Sequence, residues 1–309
     1  MHGQAEAARL LVEEVRQRDT ERIREADVRP PKLLDLTTLQ REANKRWGLT
    51  ATQTLGIAQK HYETYKLLTY PRTDSRYISD DMKTEMAETL AKLESNYNVK
   101  AGTNLDRIIK NSGVTDHHAI IPTGKTPGAD LTENERRIYD LVVAHTIAAV
   151  SGNGKDETAN AKLTAGTMHL EAGARRTKEE GWRESYHKIL GKTTQQDNEQ
   201  ASKDEDDDQA GDGLFNANTG TARNANYEIV EGQTKPRAAY TEASLLSAME
   251  TAGRGLDDEE ASAIMKEKGL GTPATRASII ERLIKTEYLT RKGKTLISTT
   301  KARGLIDML

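Results

Sequence analysis

Residues 190–226 are the strongest constraint on how this chain of 309 residues can fold. They are rich in Gln, Asn, Asp, Gly and Thr, and hold too little apolar side chain to offset the entropy of ordering them. A disordered loop is expected there, with folded segments on either side. The run Asp204-Glu205-Asp206-Asp207-Asp208 has the residue type of a metal site but no periodic scaffold around it, and reads as solvated linker. Charge follows the same partition. The net charge is −3, yet residues 196–212 hold eight acids and one lysine, and residues 266–303 hold ten Lys/Arg and three acids. An acidic linker and a basic C-terminal surface are hidden in the average.

Cysteine is absent, which removes disulfides and cysteine-based zinc sites. Of seven histidines only His117 and His118 lie close together, and none has an HExxH setting. No apolar run approaches the roughly 20 residues of a membrane span. Met1 leads into a charged amphipathic segment rather than a signal peptide. These features point to the cytoplasm and to no membrane partner.

The coarse reading is mixed, mainly α with β strands. Ala8, Leu11, Val12 and Val15 recur at helical spacing and predict one helix over residues 3–25. Pro30 and Pro31 make an extended link. Leu39, Ala43 and Trp47 mark a helix stopped by Gly48; Leu55, Ala58, Tyr62 and Tyr65 mark the apolar face of the next. A short apolar strand then delivers Tyr70, and Pro71 ends its pairing. Ser79, Asp80 and Asp81 start a helix carrying Met86, Leu90 and Leu93. Thr132-Glu133-Asn134-Glu135 is a capping box. Residues 155–188 alternate and read as strands. Beyond residue 240, one helix starts at Thr241, a second carries Ala261, Ile264 and Met265, and a third starts at Thr272-Pro273. A hairpin turns at Lys292-Gly293-Lys294. Three helices and a hairpin make a winged-helix module. Residues 38–78 echo 258–297, as two helix-turn-helix-like modules would.

Three groups of residues could carry chemistry. Tyr70 and Arg72 are separated by one residue, Pro71. A phenol is a poor nucleophile at neutral pH, and a guanidinium beside it favours the phenolate and can grip a phosphate. Arg76 either touches a neighbouring phosphate or is solvated; Asp74 and Ser75 cap the turn. His117 and His118 lead an apolar run; metal ligands, a proton shuttle and surface residues are all open, although adjacent side chains cannot readily share one metal. The helix start at Gly271 to Arg276 offers N–H groups, Thr272, Thr275 and Arg276 to an anion, or is a plain cap.

The string Tyr70-Pro71-Arg72-Thr73-Asp74-Ser75-Arg76-Tyr77 resembles the active-site motif of type IA DNA topoisomerases, in its topoisomerase III form. Thr115 to Thr123 resembles the histidine motif downstream of that family's tyrosine. Tyr240 to Leu245, Ala248 to Glu250 and Gly269 to Arg276 resemble its single-strand-binding region, and Thr37 to Ala43 its helix ahead of the active site. The matches occur in the family's order over residues 30–156 and 235–309. The resemblance implies an arch-like architecture: 1–34 as an arch segment, 35–155 as the tyrosine domain, 156–235 as arch strands with the 190–226 loop, and 236–309 as a truncated winged-helix-like module that binds single strands. It implies Tyr70, Arg72 and His118 as catalytic residues. His118 is preferred by the His-Ala-Ile pattern. It implies His117, Arg76, Thr272, Thr275, Arg276, Gln40 and Arg41 as DNA-binding residues.

The implied reaction cuts one DNA strand, keeps the 5′ phosphate on the tyrosine, passes another strand and reseals without ATP. Substrates would be single-stranded or negatively supercoiled DNA at the nucleoid. The family's Mg²⁺ sits on a Toprim domain. No such pattern is found here, so the expectation is a fragment holding no metal itself, completed by a separate Toprim-bearing chain. A non-catalytic single-stranded DNA-binding module is the alternative. A tyrosine recombinase would need its tyrosine after an Arg-His-Arg set, the reverse of the order here.

Overall fold

The computed structural model describes residues 17–165, 168–191, 215, 236–252 and 269–308. In chain order the first elements are β1 (Gln17–Val28), α1 (Leu36–Trp47), α2 (Ala51–Lys60), α3 (Lys83–Tyr97) and α4 (Glu133–Val150). Then come β2 (Gly154–Ala165), β3 (Met168–Glu179), α5 (Arg183–Leu190) and α6 (Glu242–Glu250). The last are α7 (Pro273–Lys285), β4 (Leu289–Lys292), β5 (Thr295–Ser298) and α8 (Thr300–Ile306). They divide into two compact units. One holds the described residues of 1–29, 153–183 and 192–235; the other holds those of 30–152, 184–191 and 236–309.

The first unit is an antiparallel sheet in the order β1-β2-β3. Its strands are polar, and cross-strand charges organise them. Glu25 of β1 stands opposite Glu157 of β2, a pairing that repels by itself. Lys178 of β3 pairs with both, and Arg176 adds a bond to Glu157 at 2.8 Å. Asp156 is buried, which pushes its carboxyl up, but Arg183 and Arg175 outweigh burial and hold it below the usual range. The helix expected over 3–25 is therefore corrected: Gln17–Val28 is strand. The apolar positions that suggested a helix lie outside the described residues. From Gln17 onward there is no apolar helical face, and β2 supplies the backbone partners. A second correction falls at the end of the expected strand region, where Arg183–Leu190 is helical.

The second unit is built around α4. Every residue from Leu141 to Val150 is buried, as an interior helix that is apolar on all sides must be. The predicted capping box opens it, with Thr132 N–H donating to Glu135 at 2.8 Å. Leu33, Leu34, Leu36, Leu39, Leu67, Leu68, Ile78, Ile120 and Ile121 share its core. Asp35 caps α1 by accepting from the Thr38 N–H at 2.6 Å, and Gly48 ends it at φ 71°. α2 passes directly into a π-helical turn, His61–Tyr65. A second core joins Ala51 of α2, Leu246 and Met249 of α6, Ala277 and Ile280 of α7, and Leu296 of β5. The hairpin turns at Gly293, φ 61°, where predicted. The expected middle helix of this module and the 190–226 loop fall outside the described residues, save Leu190, Gly191 and Phe215. Among the described residues no helix is long and apolar enough to cross a membrane.

Candidate active site

One extended segment, residues 117–123, holds the site together. Neighbouring backbone groups in such a segment face opposite sides. On one side Ile120 N–H donates to Leu34 O at 2.8 Å. On the other, Thr123 N–H donates to Leu67 O (3.0 Å), Thr69 N–H to Ile121 O (3.0 Å) and Ala119 N–H to Tyr77 O (2.9 Å). Residues 70–76 are thus a loop between two feet, Thr69 and Tyr77, bonded to partners two residues apart. Pro71 has no N–H to offer a ladder, so the chain leaves the pairing there.

The loop is fixed from within. Thr73 Oγ1 donates to His117 O at 2.9 Å and accepts from Ser75 N–H at 3.0 Å. The buried Ser75 hydroxyl lies 2.7 Å from Gly113 O. Leu36 N–H donates to Thr73 O, which ties the loop to the start of α1. Asp74 accepts from the Thr115 hydroxyl at 2.9 Å. Asp74 and Ser75 therefore shape the turn, as their residue types suggest.

Tyr70 is half-buried, with its ring held from two directions. The Tyr62 ring meets it nearly edge-on, centroids 5.3 Å apart, and the His117 ring lies 4.5 Å away. Tyr62 comes from the π-helical turn. Sequence spacing puts Tyr62 on the packing face of its helix, but the change of helical pitch turns it out to 37% exposure beside Tyr70. Such turns recur at functional sites. The Tyr70 hydroxyl has no hydrogen-bond partner among the described residues, and Arg72 is exposed with no carboxylate at ion-pair distance among them.

The histidine that meets the tyrosine is His117. The His-Ala-Ile pattern singles out His118, but consecutive side chains of an extended segment diverge. The His118 Nδ1 turns instead to Ala119 O at 2.8 Å.

The other candidates are more scattered. Arg76 Nε donates to Leu33 O at 3.1 Å and faces Asp35 at 3.9 Å, so it braces the loop. Gln40 is fully buried and donates to Ala51 O at 3.0 Å, between α1 and α2. Arg41 pairs with Glu250 of α6 at 3.5 Å. Arg276 is 4% exposed; its guanidinium donates to Leu270 O (3.2 Å) and to Thr37 Oγ1 (3.0 Å). Thr272 and Thr275 are exposed at the start of α7, where Thr272 N–H donates to Thr275 Oγ1 at 2.8 Å. Gln40 and Arg276 are therefore spent on packing, because α1, α2 and α7 close over them. Of the three candidates in Gly269 to Arg276, Thr272 and Thr275 face solvent. Among the described residues no three His, Asp or Glu side chains gather to hold a metal ion.

Comparison with known proteins gives a consistent picture. A sequence model described as DNA topoisomerase matches residues 3–309. DNA topoisomerase 3 of Bacillus thuringiensis (strain Al Hakam) is 37% identical over 292 residues, covering 90% of this chain and 39% of that protein. DNA topoisomerase 3 of Bacillus subtilis (strain 168) is 33% identical over 291 residues, with the same coverage. The chain thus spans about two fifths of the length of these relatives. The fold is similar to that of full-length topoisomerase I from Thermotoga maritima, with a TM-score of 0.58 and 21% identity over 95% of this chain and 44% of that one.

Proposed function

The chain belongs to the type IA DNA topoisomerase family, in its topoisomerase III-like branch, and on that premise we propose that Tyr70 is the nucleophile that cuts one DNA strand. The supporting observation is the setting of Tyr70: a ring clamped by Tyr62 and His117, a hydroxyl without a partner, and the unneutralised Arg72 two residues on. In this reading Tyr70 Oη bonds to the scissile phosphorus and the P–O3′ bond breaks. The phenol gives up a proton and the 3′ oxygen gains one, with the His117 imidazole as carrier. The 5′ phosphate stays on Tyr70. Attack by the 3′ hydroxyl reverses the step, so the bond energy is kept and no ATP is consumed. Arg72 offsets the charge that develops on the phosphate.

The substrate is single-stranded or negatively supercoiled DNA, at the nucleoid. Mg²⁺ belongs in this reading to a Toprim-type domain outside the described residues, and no step here is routed through it.

The test is a denaturing gel of the chain with labelled single-stranded DNA and Mg²⁺, with and without an added Toprim domain. A covalent adduct that Tyr70→Phe abolishes is the expected result. An adduct that persists in that variant overturns Tyr70 as nucleophile. Binding with no adduct under either condition favours a non-catalytic DNA-binding module.

A further inference from the structure

The second foot of the loop carries Tyr77, and two ammonium groups stand over its ring. Lys32 Nζ lies 5.1 Å from the ring centroid and Lys110 Nζ 5.5 Å. The lysines come from separate segments, one before α1 and one after the 3₁₀ turn Leu105–Arg107. Both are exposed, and among the described residues neither has a carboxylate at ion-pair distance. Lys83 and Lys60 of the same unit, exposed as well, are by contrast neutralised, by Asp106 at 2.7 Å and Glu135 at 2.7 Å.

Tyr77 itself is held firmly. Its carbonyl accepts from Ala119 and its N–H donates to Ser75 Oγ at 3.2 Å. Gly113 lies so close that a Cβ there would meet the ring at 2.7 Å, so only glycine lets the ring rest against this segment. Lys32 beside the hydroxyl, then Lys110 and Arg76, hold the phenol below its usual range against a smaller opposing effect of burial. Cations gathered at one ring without a carboxylate at ion-pair distance favour an anion arriving from solvent.

We infer that Lys32, Tyr77 and Lys110 form a second phosphate seat that holds the backbone of the cleaved strand one step along from Tyr70. The two feet of the loop bond to Ile121 and Ala119, two residues or about 7 Å apart in an extended chain. A nucleic-acid strand carries a phosphate at every nucleotide, so a strand that reaches Tyr70 brings further phosphates past this foot. The inference rests on the reading above only for the identity of the strand.

The test is a salt series of single-stranded oligonucleotide binding, followed by fluorescence anisotropy, for the full chain, for Lys32→Ala with Lys110→Ala, and for Lys83→Ala. In the double variant the slope of log K against log salt becomes shallower by about 0.7 for each phosphate the pair holds. Lys83→Ala keeps the original slope. Equal slopes in the double variant and the parent overturn the seat. Replacing chloride by inorganic phosphate at constant ionic strength leaves the difference intact; a difference that vanishes marks a free-anion site and overturns the strand assignment. A changed slope without a covalent adduct keeps the seat and removes the cleavage reading. An adduct with unchanged slopes does the reverse.

Discussion

Arg72 and Arg276 have the same side chain and different work. Arg72 is exposed two residues after Tyr70, with no carboxylate at ion-pair distance among the described residues. Arg276 is enclosed, with one bond to Leu270 O and one to Thr37. Removing a donor aimed at developing charge typically costs about 10²–10³ in rate. Arg72→Ala is therefore expected to slow adduct formation by about a hundredfold or more while single-strand affinity changes little. Rate and affinity measured on the same preparation check this. Arg276→Ala belongs to stability instead. Losing charged hydrogen bonds in a closed site costs about 2 kcal/mol, visible as a lower denaturant midpoint, with the salt slope of DNA binding unchanged. A weakened slope in that variant would return Arg276 to the DNA contacts.

At the scale of elements, α5 is fastened to α4 by one buried chain of polar groups. Arg46 Nη2 donates to Tyr186 Oη at 3.1 Å, which leaves that hydroxyl to donate to His145 Nε2 at 3.1 Å; His145 Nδ1 then faces Lys32 O at 3.5 Å. The arrangement needs a neutral imidazole. Burial pushes the His145 pKa down from 6.5 to about 3. Between those values the unfolded chain binds a proton that the folded chain refuses, so stability rises with pH through this window and is lost as pH falls. Thermal melts are expected to drop as pH falls below 6.5, and His145→Gln is expected to flatten that dependence. A variant with an unchanged pH profile would show that His145 is not the group responsible. The π-helical turn after α2 works at the same scale. By helical spacing alone Tyr62 belongs to the core; the altered pitch brings it to Tyr70.

Across the whole molecule, charge is distributed unevenly, and that bears on the approach of DNA. Replacing Asp204, Glu205, Asp206, Asp207 and Asp208 by their amides removes five negative charges and moves the net charge from −3 to +2. Association with single-stranded DNA is expected to quicken at low salt, and the gain to fade near 1 M, where screening acts within about 3 Å. Stopped-flow mixing across a salt series measures it, and a gain independent of salt would refute it. The parts legible in the sequence are those set by near neighbours. Thr132 with Glu135, Thr272 with Pro273, and Gly293 in its turn act within four residues, and the Tyr70-Arg72 pair is a local motif too. The strand Gln17–Val28 was not legible, because its partners in β2 lie beyond residue 150. The sequence by itself determined the caps, the turns, the core helix α4 and the tyrosine motif, since spacing and capping are short-range. Only the tertiary structure decided that His117 rather than His118 meets Tyr70, that Arg276 closes against Thr37, and that Lys32 and Lys110 converge on Tyr77. Burial and convergence depend on segments far apart in the chain, and no local pattern records which of them will meet.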